Sequence, residues 1–260
     1  MKVTRIVLVT VFALLAIALL AVFAFGLNSD QDTVHSNPRI SNKDGTSTNW
    51  AGYAVLTNLA SPQSGSVSEV NGSWVVPSAN CSATPSAYSS FWIGIDGYSS
   101  GTVEQAGTDS DCSSGSPRYY AWYEMYPKFP VNLNMKVAPG DLMSADVKYL
   151  GNGNFQLTIV DKTTGASFST VQKSARAVRS SAEWIAEAPS SSKKPLQLAD
   201  FGAVFFTSAQ ATLNGHSGAI NDPAWKYDAI IMEYSNGTIK ANPSGLSSNG
   251  TAFSITWSHS

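Results

Sequence analysis

The sequence predicts an all-β fold, a two-sheet antiparallel β-sandwich or jelly roll, and three observations support it. Short segments that alternate apolar and polar residues recur along the chain. Asn-Gly pairs such as Asn71-Gly72, Asn214-Gly215 and Asn236-Gly237 supply hairpin turns between them. No stretch after residue 30 shows sustained helical periodicity. We found no internal repeat, so a single sandwich domain is expected.

The alternating segments define eleven predicted strands. They are 50–55, 70–76, 89–95, 119–126, 141–149, 155–161, 167–171, 182–187, 200–207, 229–234 and 253–257. No strand is predicted between residues 96 and 118, where acidic, hydroxyl and glycine residues dominate.

The N-terminus predicts export. Lys2 and Arg5 precede an apolar run over residues 6–27, which is long enough to cross a bilayer as a helix. Ala24-Phe25-Gly26 also offers a small-x-small cleavage site. Residues 1–27 are therefore a signal-anchor or a signal peptide, followed by a polar linker over 28–48 and a domain over 49–260. We expect a secreted or cell-surface protein, with possible membrane attachment through residues 6–27.

Composition excludes several classes of site. Only 13% of residues are charged and the net charge is −2, so bulk electrostatics gives no reason to expect a nucleic-acid partner. Two cysteines and three histidines are too few for a zinc site, and no metal or cofactor is expected. In an oxidising compartment Cys81 and Cys112 can form a disulfide, worth about 3–4 kcal/mol; two free buried thiols are the alternative.

Aromatic blocks with one acidic or amide residue predict a binding groove. Strands alternate their side chains between two faces, so Trp122, Glu124 and Tyr126 point the same way. A carboxylate is then flanked by aromatic walls. We interpret this pattern as an open trough that binds a polymer.

The sequence lacks the residues that a nucleophilic triad or an aspartic-protease site would require. Among the three histidines only His216 could serve a triad, and it lies in a predicted turn, with no Gly-x-Ser-x-Gly elbow in the chain. Asp-Thr-Gly and Asp-Ser-Gly are also absent. A carboxylate working with an amide remains. Glu183 can act as a general base near its pKa, and the Gln105 amide can donate to an oxyanion at any pH.

The order of the blocks resembles one family, the glutamic peptidases or eqolisins. The blocks are Asn49–Tyr53, 70–77, 92–97, Gln105-Ala106-Gly107 with Asp109, 121–127, Ala182-Glu183-Trp184-Ile185, and 199–202 with Phe206-Thr207. The resemblance implies a concanavalin-like sandwich and an acid endopeptidase that needs no metal or cofactor. It also implies polypeptide substrates in extended conformation. We expect a monomer.

The resemblance also assigns roles. Glu183 is implied to be the catalytic acid and base, and Gln105 its oxyanion-stabilising partner. The residues implied to line or support the substrate cleft are Trp92, Asp96, Asp109, Trp122, Glu124 and Tyr126. Trp50, Trp74, Trp225 and Trp257 are expected in the core.

Two rival functions fit the same residues. A lectin-like module would use exposed aromatic rings to stack on sugars. A glycoside hydrolase would use Glu183 with Glu124, which requires carboxyls opposed at about 5–10 Å across a groove.

Overall fold

The computed structural model describes residues 45–191 and 194–260, and within them all regular structure is β. The strands are β1 (Thr46–Ser47), β2 (Trp50–Leu56), β3 (Val67–Val75), β4 (Ser90–Ile95), β5 (Val103–Ser113), β6 (Ser116–Tyr126), β7 (Val131–Lys136), β8 (Leu142–Gly151), β9 (Asn154–Asp161), β10 (Ser167–Lys173), β11 (Ser181–Glu187), β12 (Ser190–Ser191), β13 (Lys194–Pro195), β14 (Ala203–Leu213), β15 (His216–Ala219), β16 (Lys226–Glu233), β17 (Ile239–Pro243) and β18 (Phe253–Trp257). In this described part, no helix could span a membrane.

The strands form two layers that share β16. The front sheet has the order β16-β2-β11-β4-β5-β6-β7, and the back sheet the order β10-β9-β8-β3-β14-β18-β17-β16. Neighbours along both orders are antiparallel; β1 joins the edge of β16 in parallel. The predicted β-sandwich is thus confirmed.

An apolar core lies between the sheets. Trp184 of β11 donates its indole N–H to the Asn71 carbonyl of β3 at 2.9 Å, and Trp74 of β3 donates to the Thr108 hydroxyl of β5 at 2.9 Å. Each indole ring thereby packs in the core, and its N–H has a hydrogen-bond acceptor on the opposite sheet.

The front sheet is buried on its other side as well. Strands β2, β4 and β11 are buried at every position, because a second group of apolar side chains covers the face directed away from the back sheet. We call this face the outer face. Its apolar cluster consists of Trp50, Ala54, Leu56, Trp92, Tyr98, Val103, Trp122, Ile185 and Ile230.

The predicted disulfide is confirmed. Cys81, in the loop after β3, is bonded to Cys112 at the end of β5, with Cα atoms 5.3 Å apart. The bond fixes the long loop between β3 and β4 to the far end of β5.

All eleven predicted strands overlap observed ones, but the observed strands β1, β5, β7, β12, β13, β15 and β17 were not predicted. Among these, β5 is the strand that carries Gln105. Its outward and inward residues are both largely polar, so it lacks the alternation that identifies the other strands. The sheet begins at Thr46, inside the predicted linker 28–48. The segment predicted as a signal-anchor or signal peptide lies outside the described residues.

Candidate active site

Strand register places the two proposed catalytic residues in one row on the outer face. Glu183 of β11 pairs with Gly94 of β4, Gly94 pairs with Gln105 of β5, and Gln105 pairs with Glu124 of β6. Directly paired residues on antiparallel strands share a face. The three polar side chains therefore project together, with one strand separating Glu183 from Gln105.

Gly94 places no side chain between them. Adjacent strands are about 4.8 Å apart, so the Cα atoms of Glu183 and Gln105 are roughly 10 Å apart across Gly94. A side chain at this position would begin 3.0 Å from the Gln105 Cβ and 3.2 Å from the Trp92 ring. Glycine thus keeps open the place where a water or a peptide carbonyl could lie between the carboxyl and the amide.

The Gln105 amide is oriented by Glu124. Its Nε2 donates to the Glu124 carboxylate at 2.7 Å, and both residues are fully buried. A primary amide has two N–H donors, so one is used in this bond and the second remains for a ligand. Gln105 is thus held in one orientation by its neighbour in the row.

Glu183 is fully buried, not exposed at the floor of an open trough as the sequence led us to expect. Burial raises the pKa of its carboxyl well above the usual value. The Asp96 and Glu104 carboxyls act in the same direction, while the Ser181 hydroxyl and the Tyr98 backbone N–H act against them. Among the described residues, no donor meets the distance and angle of a hydrogen bond to either carboxylate oxygen. Such a carboxyl retains its proton into weakly acidic solution.

Aromatic side chains fill the neighbouring row. Trp92 and Trp122 face each other across Gly107, and a Cβ at Gly107 would lie 2.6 Å from the Trp92 Cβ and 2.9 Å from the Trp122 ring. Trp50 packs edge-on against Trp92 with ring centroids 4.7 Å apart. Trp50, which was expected in the core, is fully buried, and the apolar cluster that contains it lies on the outer face. Tyr126, at the end of β6, is half-buried against the same cluster.

A carboxyl pair supports Trp122. The indole N–H donates to Asp109 at 2.5 Å, and the Tyr120 hydroxyl lies 2.8 Å from both Asp109 and Asp111. Burial raises the pKa of Asp109 to about 6; burial and the neighbouring Asp109 charge raise the pKa of Asp111 well above its usual value. In acid at least one of them is protonated, and the pair can then hold Tyr120 and Trp122 in place.

Trp92 has an equivalent acidic support. Its indole N–H donates to Glu187 at 2.9 Å, and the Asn49 amide donates to the other Glu187 oxygen at 3.2 Å. Burial raises the pKa of Glu187, with the three N–H donors of Trp92, Trp50 and Asn49 acting against the rise. The aromatic walls are thus fixed by carboxyls that lie beneath them.

Asp96 supports the site without lining it. Its carboxylate accepts from the backbone N–H groups of Val178, Arg179 and Ser180 at 2.6–2.9 Å. These residues lead directly into β11, which carries Glu183. Asp96 has a φ of +74°, in the left-handed region. The hydrogen bonds that its carboxylate accepts from these backbone N–H groups can stabilise that conformation. Asp96 therefore fixes the entry of β11 against the end of β4.

Comparison with known proteins shows which family the chain belongs to. Residues 48–257, most of the chain, match the model of the peptidase A4 family. The chain is a member of that family. The predicted resemblance to the glutamic peptidases is thereby confirmed.

Individual members of the peptidase A4 family agree with this assignment. Aspergillopepsin-2 of Aspergillus niger is 28% identical over 199 residues, which cover 68% of each chain. Scytalidoglutamic peptidase, solved with a peptide-based transition-state analogue, superposes with a TM-score of 0.67 at 26% identity, over 81% of this chain and 98% of that one. Aspergilloglutamic peptidase from Aspergillus niger gives a TM-score of 0.58 at 27% identity, over 66% and 99%.

Several residues of this A4 member's site were not found from its sequence. Asp111, Tyr120 and Glu187 support the aromatic walls, and their only sequence signal is that they alternate in step with Asp109, Trp122 and Glu183 along their strands. No group of histidine, cysteine and acidic residues able to hold a metal occurs within residues 45–191 and 194–260.

Proposed function

We propose that this glutamic endopeptidase hydrolyses peptide bonds by direct attack of water, with Glu183 as general base and Gln105 as oxyanion donor. The observation that supports this most strongly is the register that sets Glu183 and Gln105 on one face, separated only by Gly94. The gap allows a scissile carbonyl to lie between a proton acceptor and a neutral donor.

The reaction needs no covalent intermediate. Ionised Glu183 takes a proton from water as the oxygen bonds to the scissile carbon, and the carbonyl oxygen becomes an oxyanion. The free N–H of Gln105 stabilises that oxyanion, and such a donor contributes about 3 kcal/mol to lowering the barrier. The C–N bond then breaks, Glu183 gives the proton it took from water to the leaving amine, and its carboxylate is regenerated.

Glu124 acts through Gln105, and the aromatic walls act on the substrate. Glu124 accepts one N–H of the Gln105 amide, with nitrogen and oxygen 2.7 Å apart, and thereby directs the other N–H toward the gap between Gln105 and Glu183. Trp92, Trp122 and Tyr126 offer apolar surface for the side chains of an extended polypeptide. The peptide-based analogue in scytalidoglutamic peptidase is consistent with such a substrate.

The geometry disfavours a glycoside hydrolase that uses Glu183 with Glu124. The two lie three strand spacings apart in the row, about 14 Å between Cα atoms, with Gln105 between them. Glu124 is hydrogen-bonded to Gln105 and does not oppose Glu183 across a groove.

The relatives also support export of this chain, and we retain residues 6–27 as a possible membrane attachment.

Proteolysis by variants tests the proposal. Hydrolysis of a denatured protein is measured between pH 2 and 6 for the wild type, Glu183→Gln and Gln105→Ala. We expect losses of about 10³-fold for Glu183→Gln and about 10²–10³-fold for Gln105→Ala, with no effect of pepstatin-type inhibitors or chelators on the wild type.

Matched controls lie away from the outer-face row. Gln210→Ala on the back sheet and Glu233→Gln at the end of β16 should retain wild-type rates. Proteolysis that survives in Glu183→Gln or in Gln105→Ala would refute the assigned roles. Sugar binding that persists in Glu183→Gln, in a protein without proteolysis, would favour the lectin-like rival.

A further inference from the structure

Tyr98 is the member of the outer-face cluster that comes from a loop and not from a strand. It lies between β4 and β5, is 6% exposed, and its hydroxyl donates to the Asp228 carboxylate of β16 at 2.7 Å. The phenol therefore connects the loop to a strand on the far side of β11 and β2.

This connection passes beside Glu183. Asp228 pairs with Ala54, and Ala54 pairs with Glu183, so Asp228 extends the same row by two strands. The Tyr98 backbone N–H is near enough to Glu183 to lower the pKa of that carboxyl. One end of Tyr98 is thus at Glu183 and the other at Asp228, with only the methyl group of Ala54 beneath.

The loop is packed at its start and open in its middle. Gly97, with a φ of +113°, lies against Trp50 and Val103, where a Cβ would come within 2.6 and 2.8 Å of their side chains, whereas the position of a Cβ at Gly101 is open. Ser99 and Gly101 are exposed, whereas Asp96 and Thr102 at the two ends are buried. The ends are thus fixed, and the middle is held by the Tyr98 side chain and by the Ser100 hydroxyl, which accepts from the Gly97 N–H at 3.1 Å and donates to the Thr102 carbonyl at 3.3 Å.

We propose that Tyr98 and Asp228 form a strap that closes one side of the site over Glu183, and that its release admits the substrate. The inference rests on the proposed function, because it assigns Tyr98 to control of access to the same carboxyl. Closure must compete with substrate binding. The apparent affinity for peptide therefore equals the affinity of the open form multiplied by the fraction of molecules in which the strap is open.

The strap is expected to respond to pH. A phenol bonds about twice as strongly to an ionised carboxylate as to a neutral acid. Burial raises the pKa of Asp228 above its usual value, and the Tyr98 hydroxyl and Ala229 N–H act against that rise. Among residues 45–191 and 194–260, the other titratable groups on the elements packed against Asp228 are Glu183, beyond Ala54, and Lys226 on the same face of β16; β1 contributes none. The strap is therefore closed most firmly above the pKa of Asp228 and loosens in acid.

Two conservative variants test the strap, Tyr98→Phe and Asp228→Asn, each of which keeps the shape of the side chain. The matched control is Tyr53→Phe, because the Tyr53 hydroxyl donates to the Ser244 carbonyl at the same 2.7 Å, on the inter-sheet face. Hydrogen exchange of residues 97–102 is measured at pH 6 and pH 3, corrected for intrinsic rates.

We expect exchange at pH 6 to be about 10-fold faster in both strap variants than in the wild type and in Tyr53→Phe. On an internally quenched peptide, KM should fall about 3- to 10-fold with kcat unchanged, and the difference should diminish toward pH 3. Exchange and KM equal to those of the wild type in both variants would overturn the proposal. So would a fall in kcat without faster exchange, which would make Tyr98 a positioning residue for Glu183.

The exchange measurement does not require peptide cleavage. Undiminished cleavage by Glu183→Gln would refute the proposed function and leave the exchange result to decide on the strap separately.

Discussion

Neighbouring residues on β5 have opposite surroundings. Gln105 faces outward into the site row, whereas Glu104, one position earlier, faces the inter-sheet side. Glu104 is fully buried, and burial raises the pKa of its carboxyl to about 8. The Asp96 carboxyl adds to the rise, and the Ser174 and Thr102 hydroxyls act against it. An amide and an acid thus differ in role because strand alternation gives them different environments.

Glu104→Gln should make the protein more resistant to neutral and alkaline pH. A carboxyl whose pKa is raised from 4.5 to about 8 on folding stabilises the native state fully below pH 4.5. That contribution is lost as pH rises toward 8, up to about 4–5 kcal/mol. The glutamine side chain resembles the protonated acid and has no charge to bury. Thermal unfolding from pH 4 to 8 should therefore show a smaller fall in Tm for Glu104→Gln.

The control for this prediction is Glu233→Gln, at the partly exposed end of β16. It should follow the wild-type decline in Tm. A Glu104→Gln protein that loses stability between pH 4 and 8 as steeply as the wild type would contradict the buried-acid account.

At the scale of elements, the gap between β11 and β5 depends on the glycine in β4. Alanine at position 94 would place a methyl group 3.0 Å from the Gln105 Cβ and 3.1 Å from the Glu104 carbonyl oxygen. The neighbours must then move by a few tenths of an ångström, and the gap is partly filled.

We therefore expect Gly94→Ala to lower kcat by about 10- to 100-fold, because small displacements of catalytic groups have effects of this size. Steady-state kinetics on an internally quenched peptide measures the loss. Gly245→Ala is the matched control, since no atom lies within 4 Å of its added methyl group and its rate should not change. A Gly94→Ala enzyme with wild-type kcat would show that the gap is not needed.

The sequence predicted strands best where the two faces differ in polarity or are both apolar. Strands such as β9, with alternating burial, and β4, buried throughout, were found in this way. β5 was missed because it carries Gln105, Asp109 and Asp111, and site chemistry replaced the apolar pattern. β7 alternates apolar and polar residues and was also not predicted, so the pattern did not identify every strand.

At the scale of the whole molecule, the sandwich could be predicted from the sequence, and Glu183 and Gln105 could be named as candidates for catalysis. The spatial arrangement of the strands that carry them could not be predicted. The pairing order β11-β4-β5-β6 joins residues that are up to 97 positions apart in the chain, as at Glu187 and Ser90, and no local pattern specifies it. The contact of Tyr98 with Asp228 is likewise a consequence of packing between a loop and a distant strand.

Burial of acids is the other property of the whole fold that the sequence did not show. Glu183, Glu104, Asp109, Asp111 and Glu187 are all buried with raised pKa values. Each therefore favours the folded state in acid relative to neutral solution. We therefore expect the folded sandwich to be more stable in acidic than in neutral solution.

The central claim, that buried Glu183 acts as the base, is tested most directly by the pH dependence of kcat at saturating peptide. Because burial raises the pKa of Glu183, we predict that kcat rises with pH as a single proton is lost, with a midpoint above about 4.5. The residual rate of Glu183→Gln should lack this rise. A kcat that stays constant from pH 6 down to pH 2 in the wild type, or a rise that persists in Glu183→Gln, would contradict the account.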